Sequence, residues 1–314
     1  MSKAVRVLLV LGASLLAVLL GAGIWLFRNP LGAFAAHGRW VLARAGFSKK
    51  TFETRAGRLT YFTRGSGPVL VLLHGAGDQA GTFSRIAPEL SKRRTVIVPD
   101  LAGHGESAPF TGPIRLTSIV DGVEAVLAKE APGEKVVLVG NSLGAWAAGL
   151  VAKRSPDRVA QLVLVNGGLL RAGDRGVTLT PKNRGEARRT IEALRDPASP
   201  PIPDFVLDDV VRQAKNGPIG RLDVADMEAN LLEGKLRDLT IPTDLVWGVS
   251  DRLLTLDYAK RLAAGLPAAR LTTLPACGHV PQVECPVELL RALTAVLDGP
   301  LPTPSFSSPP GAGL

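Results

Sequence analysis

Short runs of β-branched and aliphatic residues alternate with helix-patterned segments along the middle of the chain. The strand-like runs cover 58–63, 68–73, 95–99, 135–139, 161–165 and 244–247. Segments between them, such as 118–129 and 143–153, have the spacing of helices. Strands that are apolar along their whole length are typical of parallel sheets covered on both faces. We therefore predict an α/β fold with a mostly parallel sheet flanked by helices.

The strand pattern stops between about residues 169 and 239. Three helix-like stretches replace it, around 184–195, 203–215 and 221–235. The strand pattern resumes after them, so these stretches are predicted to form a helical lid inserted into the sheet domain. We place that domain, including its lid, at residues 51–298.

An uncharged apolar run occupies residues 7–27, preceded by Lys3 and Arg6. At 1.5 Å per residue, a run of this length spans about 30 Å, the thickness of a bilayer core. We predict an N-terminal transmembrane anchor over residues 1–28. A cleaved signal peptide is the alternative, because Ala33-Phe34-Ala35 offers a small-residue cleavage site.

The flanks of the sheet domain have their own composition. Residues 29–50 form a basic connector in which Leu31, Phe34 and Trp40 are interspersed among cations. Such a segment either lies along a membrane surface or covers the globular domain. Residues 299–314 are rich in Pro, Ser and Gly and are predicted to be a disordered tail.

Charge is distributed unevenly along the chain. The formal net charge is +9, and nearly all of the excess lies in the first sixty residues, where nine Lys and Arg stand against Glu53. These cations flank the apolar run, where they can meet anionic lipid headgroups. The charges at the two ends of the apolar run are nearly balanced, and we expect a cytoplasmic N-terminus with the main domain outside the cytoplasm. If the segment is cleaved, we expect a secreted domain.

The composition also limits the partners. No zinc-finger, basic-zipper or RNA-binding motif accompanies the basic residues, so a nucleic-acid partner is not expected. The spacing of His and Cys suggests no metal, and we expect no cofactor and no obligate protein partner. Cys277 and Cys285 lie close together in sequence. They can pair if the domain lies outside the cytoplasm, and are otherwise two free thiols.

The clearest motif is Gly140-Asn141-Ser142-Leu143-Gly144, between a predicted strand and a predicted helix. A G-x-S-x-G sequence in this context forms a sharp turn that lifts the Ser hydroxyl above the sheet. Gly140 and Gly144 allow the close packing that this turn needs. The helix N-terminus favours negative charge beside the hydroxyl. Ser142 is therefore the candidate nucleophile.

A hydroxyl nucleophile needs a base and a carboxylate that orients it. The chain has four histidines. His37 lies in the connector, whereas His74 and His104 lie in glycine-rich turns where they are expected to bond the loop backbone. The remaining His279 is the candidate base. Asp251, at the end of a predicted strand, is the candidate carboxylate.

An acyl-transfer site also needs hydrogen-bond donors for the oxyanion. The segment from His74 to Asp78 follows a buried strand, and Gly75 lets its backbone bend so that amides point inwards. The amide N–H groups of Ala76 and Leu143 are the candidate donors.

These motifs resemble the α/β-hydrolase superfamily over about residues 52–298. The order Ser142, Asp251, His279 is the order of its catalytic residues. The matching segments are HGAGD at 74–78, DLAGHGES at 100–107, GNSLG at 140–144, GVSDR at 248–252 and CGHVPQVE at 277–284.

Within the superfamily the chain resembles the lidded branch that contains monoacylglycerol lipases, meta-cleavage-product C–C hydrolases, epoxide hydrolases and haloalkane dehalogenases. The last two classes have Asp at the nucleophile position, where this chain has Ser142. The anchor and its basic connector resemble those of membrane-attached monoacylglycerol lipases. The resemblance implies a serine esterase or lipase that acts on a small-molecule or lipid ester through an acyl-enzyme.

Other functions stay open at this point. The GNS and CGH segments resemble the C–C hydrolases, so a C–C bond hydrolase is one alternative. An acyltransferase or perhydrolase on the same fold is another. A third class, a membrane-tethered interaction protein that works through its Pro-rich tail, rests on composition alone.

Overall fold

The structure is a computed structural model of the chain and describes residues 2–54, 57–173 and 175–303. Its described residues form one eight-stranded sheet with the order β1-β2-β4-β3-β5-β6-β7-β8. The strands are β1 Ser48–Thr54, β2 Gly57–Arg64, β3 Val69–Leu73, β4 Thr95–Pro99, β5 Val136–Asn141, β6 Val159–Val165, β7 Thr243–Gly248 and β8 Ala269–Leu274.

The sheet is mostly parallel. Strands β3 to β8 run in one direction. At one edge, β2 runs in the opposite direction and pairs antiparallel with both β4 and β1. All six predicted strands are present. The predicted α/β fold is confirmed, and the two edge strands β1 and β8 complete it.

Helices cover both faces of the sheet. The helices are α1 Lys3–Arg28, α2 Pro30–Arg44, α3 Ala87–Leu90, α4 Leu116–Glu130, α5 Leu143–Arg154, α6 Arg184–Leu194, α7 Asp204–Asn216, α8 Val224–Ala229, α9 Leu256–Gly265, α10 Pro281–Glu284 and α11 Pro286–Asp298. One core contains buried residues of α4, α5 and α9, and the other contains buried residues of α2, α3 and α11. Both faces of the central strands are therefore shielded from solvent, which explains their continuous apolar sequences.

The chain leaves the sheet between β6 and β7, where the lid was expected, and forms a helical insertion. Helices α6 and α7 match the first two predicted stretches. The third, predicted over 221–235, is wrong in length, since α8 covers only Val224–Ala229. The side chain of Asp223 caps the start of α8 by accepting from the Asp226 N–H, and Gly234 has a φ of +70° that does not continue a helix.

The N-terminal segments differ in their contacts. No residue of α1 is buried, and among the described residues it is the helix that is long and apolar enough to cross a membrane. The connector forms α2, which buries Leu42 and packs Gly38 against the domain, while Phe34 and Trp40 stay exposed. One face of α2 therefore covers the domain.

Two predicted boundaries need comment. The first strand begins at Ser48, slightly before the domain start expected at residue 51, because the chain turns at Gly46 with a φ of +85°. The predicted disordered tail, 299–314, lies outside the described residues from residue 304 onward.

Candidate active site

Ser142 lies in the turn between β5 and α5. Its backbone has a φ of +53° and a ψ of −117°, in the region that residues with a side chain rarely adopt. The turn is held by the Ser142 N–H, which donates to the carbonyl of Val165 at 3.1 Å. On the other side, the Trp146 N–H donates to the Ser142 carbonyl, also at 3.1 Å. The hydroxyl is thereby fixed at the start of a helix.

The glycines of the motif are required by packing. A Cβ at Gly140 would lie 2.3 Å from the carbonyl oxygen of Gly144. A Cβ at Gly144 would lie 2.3 Å from the carbonyl oxygen of Leu73. At Gly75 the nearest atoms, including the Cβ of Ser142, would be 3.3 Å away. Any side chain at position 140 or 144 would therefore push α5 away from the strands.

The structure brings Ser142, His279 and Asp251 together. The Oγ of Ser142 lies 2.9 Å from the Nε2 of His279, and the Nδ1 of His279 lies 2.7 Å from the Oδ2 of Asp251. Because an ionised carboxylate only accepts, Nδ1 carries the proton and donates to Asp251. Nε2 is then left to accept from the Ser142 hydroxyl. An imidazole so placed can take the serine proton while the carboxylate stabilises its charged form.

Asp251 is held by a residue that the sequence patterns did not single out. The Nδ2 of Asn166 donates to Asp251 Oδ2 at 2.7 Å, and the amides of Leu253 and Leu254 donate to Oδ1, each at 2.9 Å. Asn166 itself is fixed, since its Oδ1 accepts from the Gly248 N–H at 3.0 Å. The available signal was an Asn between the end of β6 and two glycines.

A second unpredicted amide links the base to the serine turn. The Nδ2 of Asn141 donates to the carbonyl of His279 at 2.9 Å and to that of Val165 at 3.1 Å. Its Oδ1 accepts from the Nε2 of Gln282 at 2.9 Å. Asn141 precedes Ser142, so the same dipeptide holds the base loop and presents the hydroxyl.

His74 and His104 lie in the glycine-rich loops where the sequence analysis expected them, and their rings bond to the loop backbone. His74 Nδ1 donates to the carbonyl of Gly75 at 2.8 Å, and Nε2 accepts from the Leu101 N–H at 3.0 Å. Burial lowers the pKa of His74 to about 3 and the pKa of His104 to about 4. Both rings are therefore neutral supports of the glycine-rich loops at neutral pH.

The candidate oxyanion donors lie beside the hydroxyl. Ala76 and Leu143 line the same cavity as Ser142. Within the described ranges, no hydrogen bond uses the amide N–H of either residue. Two residues whose amides have no partner in the described ranges therefore line the space next to the nucleophile, and an oxyanion hole requires such donors.

The cavity above Ser142 has a volume of about 410 Å³. Its walls are mostly apolar and come from α5, the insertion and the loop after β7. The apolar side chains are Trp146, Leu170, Leu179, Ile219, Leu222, Met227, Leu231, Leu253 and Leu254. An apolar group can be buried here in contact with the serine.

The two cysteines lie on either side of the base loop. Cys277 and Cys285 form a disulfide in the structure, which is the paired one of the two states that the sequence left open. The bond closes a short loop that contains His279.

Comparison with known proteins identifies the family of this chain. The profile of the alpha/beta hydrolase family matches residues 70–292. The pimeloyl-[acyl-carrier protein] methyl ester esterase of Aromatoleum aromaticum is 31% identical over 255 residues, which cover 74% of this chain and 99% of the esterase. The 2-hydroxy-6-oxononadienedioate/2-hydroxy-6-oxononatrienedioate hydrolase of Cupriavidus pinatubonensis is 27% identical over 71% of this chain and 84% of that enzyme.

Among solved structures, a bacterial membrane phospholipase A described as a virulence factor is similar with a TM-score of 0.74 and 25% identity. The match covers 93% of this chain and 98% of the phospholipase. It therefore includes part of the two N-terminal helices as well as the sheet domain.

Proposed function

Because this chain belongs to the alpha/beta hydrolase family, we propose that it is a serine hydrolase that cleaves carboxylic esters. The observation that carries the proposal is the hydrogen-bonded series from Ser142 through His279 to Asp251, with distances of 2.9 and 2.7 Å. The esterase relative of Aromatoleum aromaticum supports the same reaction class.

The mechanism follows from these contacts. His279 Nε2 accepts the hydroxyl proton while Ser142 Oγ attacks the ester carbonyl, and Asp251 stabilises the imidazolium. The amides of Ala76 and Leu143 hold the oxyanion. The proton then passes from His279 to the leaving alcohol, and the acyl group stays on Ser142. Water, deprotonated by His279, releases the acid and restores the serine.

The cavity determines which part of an ester lies beside Ser142. Its apolar walls fit an acyl chain, and the paired charges of Arg171 and Glu228, 2.8 Å apart, lie among its lining residues. A volume of about 410 Å³ is sufficient for a chain of moderate length. We assign amphiphilic esters, including lipid esters, as the substrates.

We further propose that α1 anchors the enzyme in a membrane. None of its 26 residues is buried, and its contact with α7 is made at its C-terminal end, where Phe27 stacks on Phe205. The similar membrane phospholipase A matches part of the same N-terminal helices. The disulfide Cys277–Cys285 is typical of an oxidising compartment, which supports our proposal that the domain lies outside the cytoplasm. A cleaved signal peptide is the competing account. N-terminal sequencing of the mature protein, together with its partition in alkaline extraction, distinguishes the two.

A second candidate reaction is hydrolysis of a C–C bond, which the 27%-identical dienedioate hydrolase of Cupriavidus pinatubonensis favours. A panel of vinylogous diketones assayed beside carboxylic esters separates the two. Faster turnover of the diketones would replace the ester assignment.

The direct test of the proposed function uses p-nitrophenyl butyrate. Ser142→Ala is expected to lower kcat/KM by roughly 10³-fold or more, because it removes the nucleophile. Ser155→Ala, at the other end of α5, is the matched control and is expected to keep the parent rate. Retained activity in the Ser142 variant would overturn the assignment.

A further inference from the structure

A second cavity lies behind the catalytic one and has a volume of about 500 Å³. Leu31 and Ala35 of α2 form one side of it, and Val210 and Ala214 of α7 form another. The remaining walls come from α6, from other residues of the insertion, and from the glycine-rich loops after β3 and β4. The mechanism proposed above does not use this space.

Only a thin wall separates the two cavities. Leu179 and Ile219 line both of them. In the loop after β3, Ala76 lines the catalytic cavity and the next residue, Gly77, lines the second one. A Cβ at Gly77 would lie 2.8 Å from the side chain of Ile219, so the missing side chain lets Ile219 pack directly on the loop. The second cavity therefore begins one residue beyond the candidate oxyanion donor.

The second cavity has an excess of positive charge. Arg221 donates to the carbonyls of Gly112 at 2.8 Å and Pro109 at 2.6 Å, which are both neutral. Among the described residues, no carboxylate lies within 4.0 Å of its guanidinium. Arg39 also lines the cavity and is paired with Glu106 at 3.6 Å, and Asp78 is the one carboxylate of the lining residues. In the catalytic cavity, Arg171 is likewise paired with Glu228, so Arg221 is the arginine of the two cavities that has no carboxylate partner among the described residues.

We propose that the second cavity binds the phosphate-bearing headgroup of a lipid ester whose acyl chain occupies the catalytic cavity. This inference rests on the proposed function. An uncompensated guanidinium in a partly closed site binds phosphate oxygens strongly through charge-assisted hydrogen bonds. With the lipid so bound, its ester bond lies at the Ala76–Gly77 backbone between the two cavities, beside the candidate donors for the oxyanion. This position requires Leu179 and Ile219 to move apart.

The position of the cavity fits a substrate taken from a membrane. Its α2 wall directly follows α1, so Leu31 and Ala35 lie close to the end of the proposed anchor. The two arginines that line it then lie near the depth of the headgroups. Arg39 is also held in place by the side chain of Gln79, whose Oε1 accepts from it at 3.2 Å.

The experiment compares two dissolved esters with the same acyl chain, 1-hexanoylglycerol and 1-hexanoyl-lysophosphatidylglycerol, below their micelle concentrations. The full-length protein is expected to hydrolyse the phosphate-bearing ester with the higher kcat/KM. Arg221→Gln should lower the ratio of the two kcat/KM values by about tenfold or more, because one charged hydrogen bond to the phosphate is lost. It should leave 1-hexanoylglycerol hydrolysis within about twofold. Arg221→Lys, which keeps the charge, should restore part of the preference.

The control is Lys260→Gln, which removes one positive charge from α9, outside both cavities. It is expected to change neither rate. Equal rates for the two esters in the parent protein would overturn the headgroup site, as would an equal fall for both in Arg221→Gln. If p-nitrophenyl butyrate is hydrolysed but the two hexanoyl esters react at equal rates, this inference alone is contradicted. If no ester is hydrolysed, the proposed function is contradicted as well.

Discussion

The backbone N–H of His279 donates to the carbonyl oxygen of Leu194, 2.8 Å away. Leu194 is the last residue of α6, where helix carbonyls have no partner within the helix. In the same turn, the Arg252 N–H donates to the carbonyl of Ala193 at 3.0 Å, next to Asp251. The first helix of the insertion is therefore attached to both the base loop and the acid loop.

Glu284 strengthens this attachment and provides the first prediction. Its carboxylate accepts from the Gly278 N–H at 2.5 Å and from the Asp196 N–H at 2.9 Å. Glu284→Gln places an NH₂ group opposite one of these donors. We expect kcat for p-nitrophenyl butyrate to fall by about tenfold, because the loop that carries His279 loses its fixed position. KM should stay within about twofold.

The matched control is Glu288→Gln, the same chemical change four residues further along the chain in α11, which is expected to keep the parent kcat. A raised KM with an unchanged kcat in Glu284→Gln would contradict a role in positioning the base. The thermal midpoint of each variant, measured alongside, separates misplacement of the loop from loss of the fold.

The strands that the sequence patterns predicted are those with continuous apolar runs. Strands β1 and β8 were missed because they are the two edges of the sheet, and their sequences SKKTFET and ARLTTL are rich in polar residues. The third insertion helix was predicted too long because its periodicity continues past Ala229, where α8 ends; the chain turns at Asn230, and Gly234 further on has a φ of +70°. Local pattern decides where a helix can form, and turn geometry decides where it ends.

The residues of the candidate site also divide into those that the sequence predicts and those that it does not. Ser142, Asp251 and His279 were found because their chemistry and their chain order are specific. Asn166 and Asn141 were missed because an amide that fixes another side chain has no typical spacing in sequence. Their roles depend on contacts between residues that are far apart along the chain.

Gly144 provides the second prediction, which concerns stability. Gly144→Ala is expected to destabilise the domain by at least about 3 kcal/mol, because the new methyl group would meet the backbone of β3 at 2.3 Å. Urea denaturation followed by circular dichroism measures the loss. Gly173→Ala is the control, since a Cβ there would meet nothing within 4 Å. An unchanged unfolding midpoint in Gly144→Ala would show that α5 does not pack this closely on the sheet.

His104 provides a prediction about pH. Burial lowers the pKa of the folded-state ring to about 4, whereas an unfolded His titrates near 6.5. Between these values the unfolded chain binds a proton that the folded chain does not, so the free energy of unfolding falls as the pH decreases. This group contributes up to about 1.4 kcal/mol per pH unit. His104→Gln should lose less stability than the parent between pH 6.5 and 4, and parallel stability curves would contradict a neutral buried ring.

The disulfide provides the fourth prediction. Cys277 and Cys285 close a short loop, for which the loss of chain entropy in the unfolded state is worth about 2–3 kcal/mol. The double variant Cys277→Ala/Cys285→Ala is expected to unfold at a lower urea concentration and to respond no further to dithiothreitol. The parent should lose stability on reduction. A parent protein whose midpoint is the same with and without dithiothreitol would show that the two thiols are not paired.

The most direct test of the central claim is the mass-spectrometric location of a fluorophosphonate adduct on the full-length protein. An activated serine displaces fluoride and gains the phosphonyl group, whereas an ordinary serine does not react. We expect a single adduct on the peptide that contains Ser142, with a labelling rate that falls by roughly 10³-fold or more in His279→Ala. An adduct on a different residue, or labelling of Ser142 at the same rate without the imidazole, would contradict the account.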